Sequence, residues 1–170
     1  ILRRTLDALP GSIAKVVIVI GYKKEMFLSA DLPRRSGREI VFAEQAEPTG
    51  TFDAVLTARP HLDPGPFIVL NGDDLYGQDD LIKLAAAEPF AIMAKSIRRP
   101  DRHSHLKTVG GRLESIVPVD RLPAIKTLPE TLTYTGACLL NDRIFSLEPA
   151  TAPNGERSLP HTLERHLNKN

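Results

Sequence analysis

The sequence predicts a three-layer α/β sandwich with a mostly parallel sheet, and three observations predict it. Strand-like apolar runs alternate with helix-like segments through the first hundred residues, a pattern that argues for right-handed crossovers between parallel strands. Two of the runs, KVVIVI at Lys15–Ile20 and PFIVL at residues 66–70, are continuous rather than alternating, the mark of strands buried on both faces. The second run ends in Asn71-Gly72-Asp73-Asp74, and the carboxyl edge of an open α/β sheet is where phosphates and metal ions are held.

Taken in order, residues 1–9 (ILRRTLDAL) place Ile1, Leu2, Leu6 and Leu9 on one face of a helix with Arg3, Arg4 and Asp7 between. No capping residue precedes them, so the reading expects a chain cut upstream of this helix. Lys15–Ile20 is the first strand, residues 23–30 a short helix, residues 39–43 a second strand and residues 50–58 a helix stopped near Pro60. Residues 66–70 form the third strand. Residues 79–87 (DDLIKLAAA) form a helix with acidic residues in its first turn, favourable to its dipole. Residues 90–97 form a fourth strand, and residues 98–105 a polar surface loop. Gly110-Gly111 then joins residues 106–109 to residues 112–117 in a predicted hairpin. A proline-interrupted loop over 118–129 leads to a strand at 132–140, broken by Gly136. Residues 142–147 are a short helix, and residues 159–169 a final one with Pro160 in its first turn.

At 170 residues the chain suits one domain with a single core. Its formal net charge of +1, from 22 Lys plus Arg against 21 Asp plus Glu, gives no footprint for a nucleic-acid or membrane-surface partner. The longest apolar run, Val16 to Ile20, is far short of the ~20 residues of a membrane span, and no signal peptide is visible. One cysteine, Cys138, cannot pair within the chain, which fits a reducing compartment. The expectation is a cytoplasmic protein without nucleic acid or membrane contact. Homo-oligomerisation is left open.

Asp73 is the foremost candidate for chemistry. Projected from a strand end past Gly72, its carboxylate suits Mg²⁺, which takes one or two carboxylates plus phosphate oxygens and water. Such a turn also serves simply to cap the next helix. Gln45 and Gly50-Thr51 are the second candidate. Gly50 opens a helix with no β-carbon in the way, and backbone groups at a helix start meet a ligand closely. The Gln amide carries both donor and acceptor, as the edge of a pyrimidine requires. Taken alone, the segment is an ordinary strand–loop–helix connection. The spacing of His103, His105, His161 and His166 makes no zinc site, and Cys138, in a buried strand, reads as a small apolar side chain. The basic clusters Arg34, Arg35, Arg38 and Arg98, Arg99, Arg102 read as solvated loops.

Together, Gln45, Glu47-Pro48-Thr49-Gly50-Thr51, Ala54-Val55 and the strand ending Asn71-Gly72-Asp73-Asp74-Leu75 resemble the sugar-1-phosphate nucleotidyltransferases, which include the glucose-1-phosphate uridylyl- and thymidylyltransferases. KVVIVIGYKKEMF, YTGACLLNDRIFSLEP and GERSLPHTLERHL are more weakly similar to later and earlier segments of that family. The resemblance implies a Rossmann-like α/β/α nucleotide-diphospho-sugar transferase fold with a mixed, mostly parallel sheet. It also implies a reaction in which a sugar 1-phosphate attacks the α-phosphorus of an NTP, giving NDP-sugar and pyrophosphate. UTP or dTTP and glucose 1-phosphate are the favoured substrates, and Mg²⁺ the cofactor. Carried over by position, Gln45, Gly50 and Thr51 would contact the nucleotide, Asp73 would hold Mg²⁺, and Gly136 and Asp120 would line the sugar pocket. Arg121 would stand where the family has a catalytic Lys, and His161 where it has a late Asp near the metal.

The chain departs from that pattern in three places. The family's Gly-x-Gly-Thr-Arg-Leu loop, which grips the triphosphate on the first strand, is absent. Residues 1–170 are therefore expected to be one nucleotidyltransferase domain without its first strand and Gly-rich loop, a fragment inactive by itself. Glu-Lys-Pro has no literal counterpart; Asp120-Arg121 stands near its place, and Arg does not replace Lys at a compact phosphate site. His161 replaces an acid. Two alternatives accompany the enzyme reading: a non-catalytic relative that senses nucleotide sugar, and a metal-dependent glycosyltransferase of similar sheet architecture.

Overall fold

The computed structural model describes residues 1–29, 37–98, 104–118 and 131–167. Arg34, Arg35, Arg99, Arg102, His103, Asp120 and Arg121 lie outside them. The chain begins with α1 (Leu2–Ala8), β1 (Lys15–Ile20), α2 (Lys24–Leu28) and β2 (Glu39–Glu44). β1 and β2 form a parallel pair in register from Lys15 opposite Glu39 to Ile20 opposite Glu44. Arg38, expected in a solvated loop, instead donates from Nη2 to the Leu9 and Pro10 carbonyls at 2.8 and 3.2 Å. It ties the start of β2 to the end of α1.

Next come α3 (Thr51–Ala58), a 3₁₀ turn at Arg59–His61, β3 (Phe67–Leu70), α4 (Gln78–Ala85), β4 (Ala91–Ile97), β5 (His105–Val109) and β6 (Arg112–Val117). The ten-residue β7 (Thr131–Leu140) follows, then a 3₁₀ turn at Asp142–Ser146, the short β8 (Ala150–Thr151) and β9 (Arg157–Ser158), and α5 (Leu159–Leu167). β8 and β9 pair antiparallel, a hairpin that the sequence reading did not include. Two-residue strands carry too little period-2 pattern to be seen locally.

β7 holds the main sheet together. Leu139 stands opposite Ile68 of β3 on one side and Ala91 of β4 on the other. β3 and β4 therefore run the same way, as the alternating pattern requires, but β7 lies between them and is antiparallel to both. β5 and β6 extend the sheet beside the first half of β7. The strand pairings taken together are mixed, as expected, but they are not mostly parallel: every pairing in the five-stranded sheet is antiparallel, and parallel pairing among the described strands is confined to β1 with β2. Local periodicity reports burial and direction. It cannot report that a strand from sixty residues downstream takes the intervening place.

Successive β7 side chains point to opposite faces, and both faces are covered. Cys138 and Leu140 join Phe52 and Val55 of α3 and Leu159 and Leu163 of α5. Ala137 and Leu139 join Leu84 of α4, next to a cluster of Leu6 and Leu9 from α1 with Leu81. This is a three-layer arrangement, with α3 and α5 on one side and α1 and α4 on the other. β7 is the strand buried on both faces; β1 and β3, expected to be, are half-buried instead. Each of them has a hydrogen-bonded neighbour on one edge only among the described strands. Gly136 does not break β7. It sits in the strand at φ +77°, opposite a register shift in β4 between Ile92 and Ala94, and so marks a bulge.

Candidate functional site

β3 delivers Asn71, Gly72, Asp73 and Asp74 to the carboxyl edge of the sheet. The turn is held by a ring of polar contacts. The Asn71 backbone N–H is shared between the Gly136 carbonyl at 3.0 Å and the Tyr76 hydroxyl at 3.1 Å. That hydroxyl in turn donates to the Thr135 carbonyl at 3.3 Å. The Asn71 side-chain amide donates to Asp74 Oδ2 at 3.2 Å, and Thr5 of α1 donates to the Asp74 carbonyl at 3.4 Å. Burial, then the charges of Asp74 and Asp73, pushes the Tyr76 hydroxyl well above its usual range, so it remains a donor. Asp74 is thus tied inward. Asp73 is exposed, and no hydrogen bond or ion pair engages its carboxylate among the described residues.

The second segment follows β2. The Gln45 backbone N–H donates to the Ile20 carbonyl at 2.8 Å. Its side-chain amide donates to the Gly50 carbonyl at 3.2 Å and to Thr49 Oγ1 at 3.3 Å. The donors of Gln45 are therefore spent within its own loop, and its amide oxygen has no such partner among the described residues. Gly50 opens α3 at φ +125°. A β-carbon there would lie 2.7 Å from the Arg157 nitrogen and 2.9 Å from its carbonyl carbon, so only glycine fits.

The loop is stitched to the β8–β9 hairpin and α5. The Arg157 N–H donates to the Thr49 carbonyl at 2.8 Å, and the Leu159 N–H donates to Thr51 Oγ1 at 2.9 Å. Arg157 Nη1 meets Asp53 Oδ1 at 2.8 Å, and its guanidinium lies over the Phe52 ring. Thr51, expected to touch the nucleotide, uses its oxygen to anchor α5. The Asp53–Arg157 pair and Tyr76 were missed by sequence reasoning. Only the ring hydroxyl of Tyr76, in an otherwise polar turn, could have signalled a role there.

His161, expected near a metal, is 6% exposed. Its Nδ1 lies 2.8 Å from Ser158 Oγ, and it lines a cavity of about 360 Å³ with Ala150, Thr151, Glu164 and Arg165. Gly136 lies buried at the rim, directly under Asn71. The Cys138 thiol is fully buried, 3.7 Å from the Tyr134 hydroxyl, as a packing side chain would be. Among the described residues no group of three or more His, Cys, Asp or Glu could hold a metal ion. A cation at Asp73 would draw most of its ligands from a bound phosphate and water, a donor set that suits Mg²⁺ and not zinc. Nor is any helix among the described residues long and apolar enough to cross a membrane.

No protein-family model matches the chain. The bifunctional protein GlmU of Methanocaldococcus jannaschii is 27% identical over 171 residues, covering 99% of this chain and 39% of the relative. The UTP–glucose-1-phosphate uridylyltransferase AglF of Haloferax volcanii is 34% identical over 71 residues, covering 41% of this chain and 29% of the relative. The chain therefore spans about two fifths or less of the length of these relatives. Among solved structures, HddC from Yersinia pseudotuberculosis superposes with a TM-score of 0.66 at 19% identity, covering 94% of this chain and 67% of that one. The inositol-1-phosphate CTP transferase from T. maritima gives 0.69 at 17%, covering 92% and 63%. These likenesses establish the nucleotidyltransferase fold. Joined to sequence similarity that runs along nearly the whole chain, they make this protein similar in fold and in sequence to sugar-1-phosphate nucleotidyltransferases.

Proposed function

We propose that this chain carries the base-binding and metal-binding part of an enzyme that transfers a nucleotidyl group from UTP or dTTP to glucose 1-phosphate, releasing pyrophosphate. The observation that carries the reading is the unpartnered Asp73 carboxylate at the carboxyl edge of β3, held out by a turn whose other acid is tied inward. Mg²⁺ bound there would neutralise the charge of the triphosphate as the phosphorus–oxygen bond breaks. The remaining work of the chain is positional. Gln45, its two amide donors occupied, offers an oxygen that accepts a hydrogen bond. Uracil and thymine present a ring N–H to such an acceptor, whereas cytosine and adenine have a bare ring nitrogen there and can meet it only through the exocyclic amino group. Gly50 makes room for the Arg157 backbone, and the start of α3 that it opens would present backbone N–H groups to a ligand. The resemblance gives Arg121 the charge opposite the sugar phosphate and Asp120 and Gly136 the sugar pocket. The similarity to AglF, a UTP–glucose-1-phosphate uridylyltransferase, supports the same substrates.

The test is pyrophosphate release by the full-length protein with glucose 1-phosphate and each NTP in turn. UTP or dTTP should exceed CTP by at least about tenfold, the scale of one matched against one mismatched polar contact. No release with any pair of NTP and sugar phosphate defeats the enzyme reading. Tight nucleotide-sugar binding without release would instead establish the sensing relative.

A further inference from the structure

The Tyr76 side chain ties the acidic turn after β3 to β7. Its ring packs with the apolar clusters beneath α1 and α4. Its hydroxyl emerges at the rim, accepts from the Asn71 N–H and donates to the Thr135 carbonyl. Asn71 precedes Asp73 by two residues, and its side chain holds Asp74. Fixing Asn71 therefore fixes where the two carboxylates point. We propose that Tyr76 is a positioning residue whose hydroxyl pins the Asn71–Asp74 turn to β7, so that Asp74 stays bound inward and Asp73 alone is presented to a divalent cation. This rests on the reading of Asp73 as a cation ligand, given above. The backbone does not need the hydroxyl to fold, because the Asn71 N–H keeps the Gly136 carbonyl without it. The turn is merely left free to open.

The conservative variant Tyr76→Phe keeps the ring and removes only the two hydroxyl bonds. Amide hydrogen exchange reads the clamp without any cation. Exchange at Gly72–Asp74 should rise about fivefold, the scale of one hydrogen bond, while Cys138–Leu140 in β7 stay as protected as before. Mn²⁺ binding in the presence of UTP, followed by electron paramagnetic resonance, reads the consequence, and its affinity should fall by a similar factor. In the unaltered protein the Asn71 and Gly72 amides should already exchange at least tenfold more slowly than those of the exposed Gly110–Gly111 turn; equal rates would show that no clamp exists. Faster turn exchange with unchanged Mn²⁺ affinity overturns the positioning role. An Asp73→Asn variant separates the two ideas. If it abolishes Mn²⁺ binding and Tyr76→Phe leaves it intact, Tyr76 alone is misread. If Asp73→Asn changes nothing, the cation reading of Asp73 fails and the role of Tyr76 falls with it.

Discussion

Asn71 rests on Gly136: a β-carbon at position 136 would come within 2.5 Å of the Asn71 Cγ and 3.0 Å of its Cβ. Gly136 is also held at φ +77°, where an L side chain costs about 1–2 kcal/mol. Strain and collision are separable. Gly136→Ala should lower stability by about 3 kcal/mol or more, the sum of backbone strain and a displaced Asn71. Adding Asn71→Ala should recover the collision and leave the strain. A double-mutant cycle by urea unfolding checks this; full recovery, or none, would refute the division.

The pair of Asp53 and Arg157 should be asymmetric. The Asp53 side chain is 12% exposed and that of Arg157 43%. Arg157→Ala strands a largely buried carboxylate, whereas Asp53→Ala leaves a guanidinium that can turn to water. The first should cost about 2 kcal/mol and the second nearer 1, values kept modest because the pair is partly solvated. Arg157→Lys should restore less than half, since an ammonium cannot reproduce the fork or lie flat on Phe52. Equal losses from the two alanine variants, measured by chemical unfolding, would mean that burial does not govern this pair.

Gln45 makes a prediction about specificity instead of stability. Gln45→Ala removes two donors that close the loop on Thr49 and Gly50 and also the acceptor offered to a base. UTP binding by the full-length protein should weaken about tenfold or more, and the preference for UTP over CTP should vanish. Titration calorimetry with both nucleotides decides it. Weaker binding with the preference intact would assign Gln45 to loop closure alone.

Much of this was legible in the chain because it is written locally. The β-branched run at Lys15–Ile20 and the strand leading into Asn71 declared themselves by composition, and the Gly110-Gly111 hairpin by its turn. What stayed hidden is non-local. Nothing in Thr131–Leu140 says that it will lie between β3 and β4, since a ladder partner leaves no trace in periodicity. Gly136 was noticed as a break, yet its meaning is a close approach to Asn71, sixty-five residues away. Thr51 looked like a ligand contact because it opens a helix beside a glycine; its hydroxyl instead meets Leu159. The Asp120 and Arg121 positions lie outside the described residues, so their placement rests on the resemblance alone.

Cys138 offers a check on the core itself. Complete burial pushes its thiol from an ordinary 9.0 up to about 12, against a smaller opposing pull from the Tyr134 hydroxyl. Burial likewise raises Tyr134 well above 10.0. Between pH 9 and 12 the unfolded chain therefore releases protons that the folded chain retains. Because the folded state then binds more protons, stability is full below the unfolded value and falls as pH rises through that window. The melting temperature should accordingly drop between pH 8.5 and 11, and Cys138→Ala should flatten the part of the slope that begins near 9, leaving the part due to tyrosine. The same burial should make native Cys138 inert to a disulfide reagent at pH 8, with prompt reaction once urea opens the sheet. Rapid labelling of the folded protein would mean that β7 is not enclosed by α3 and α5, and with it the sandwich would fail.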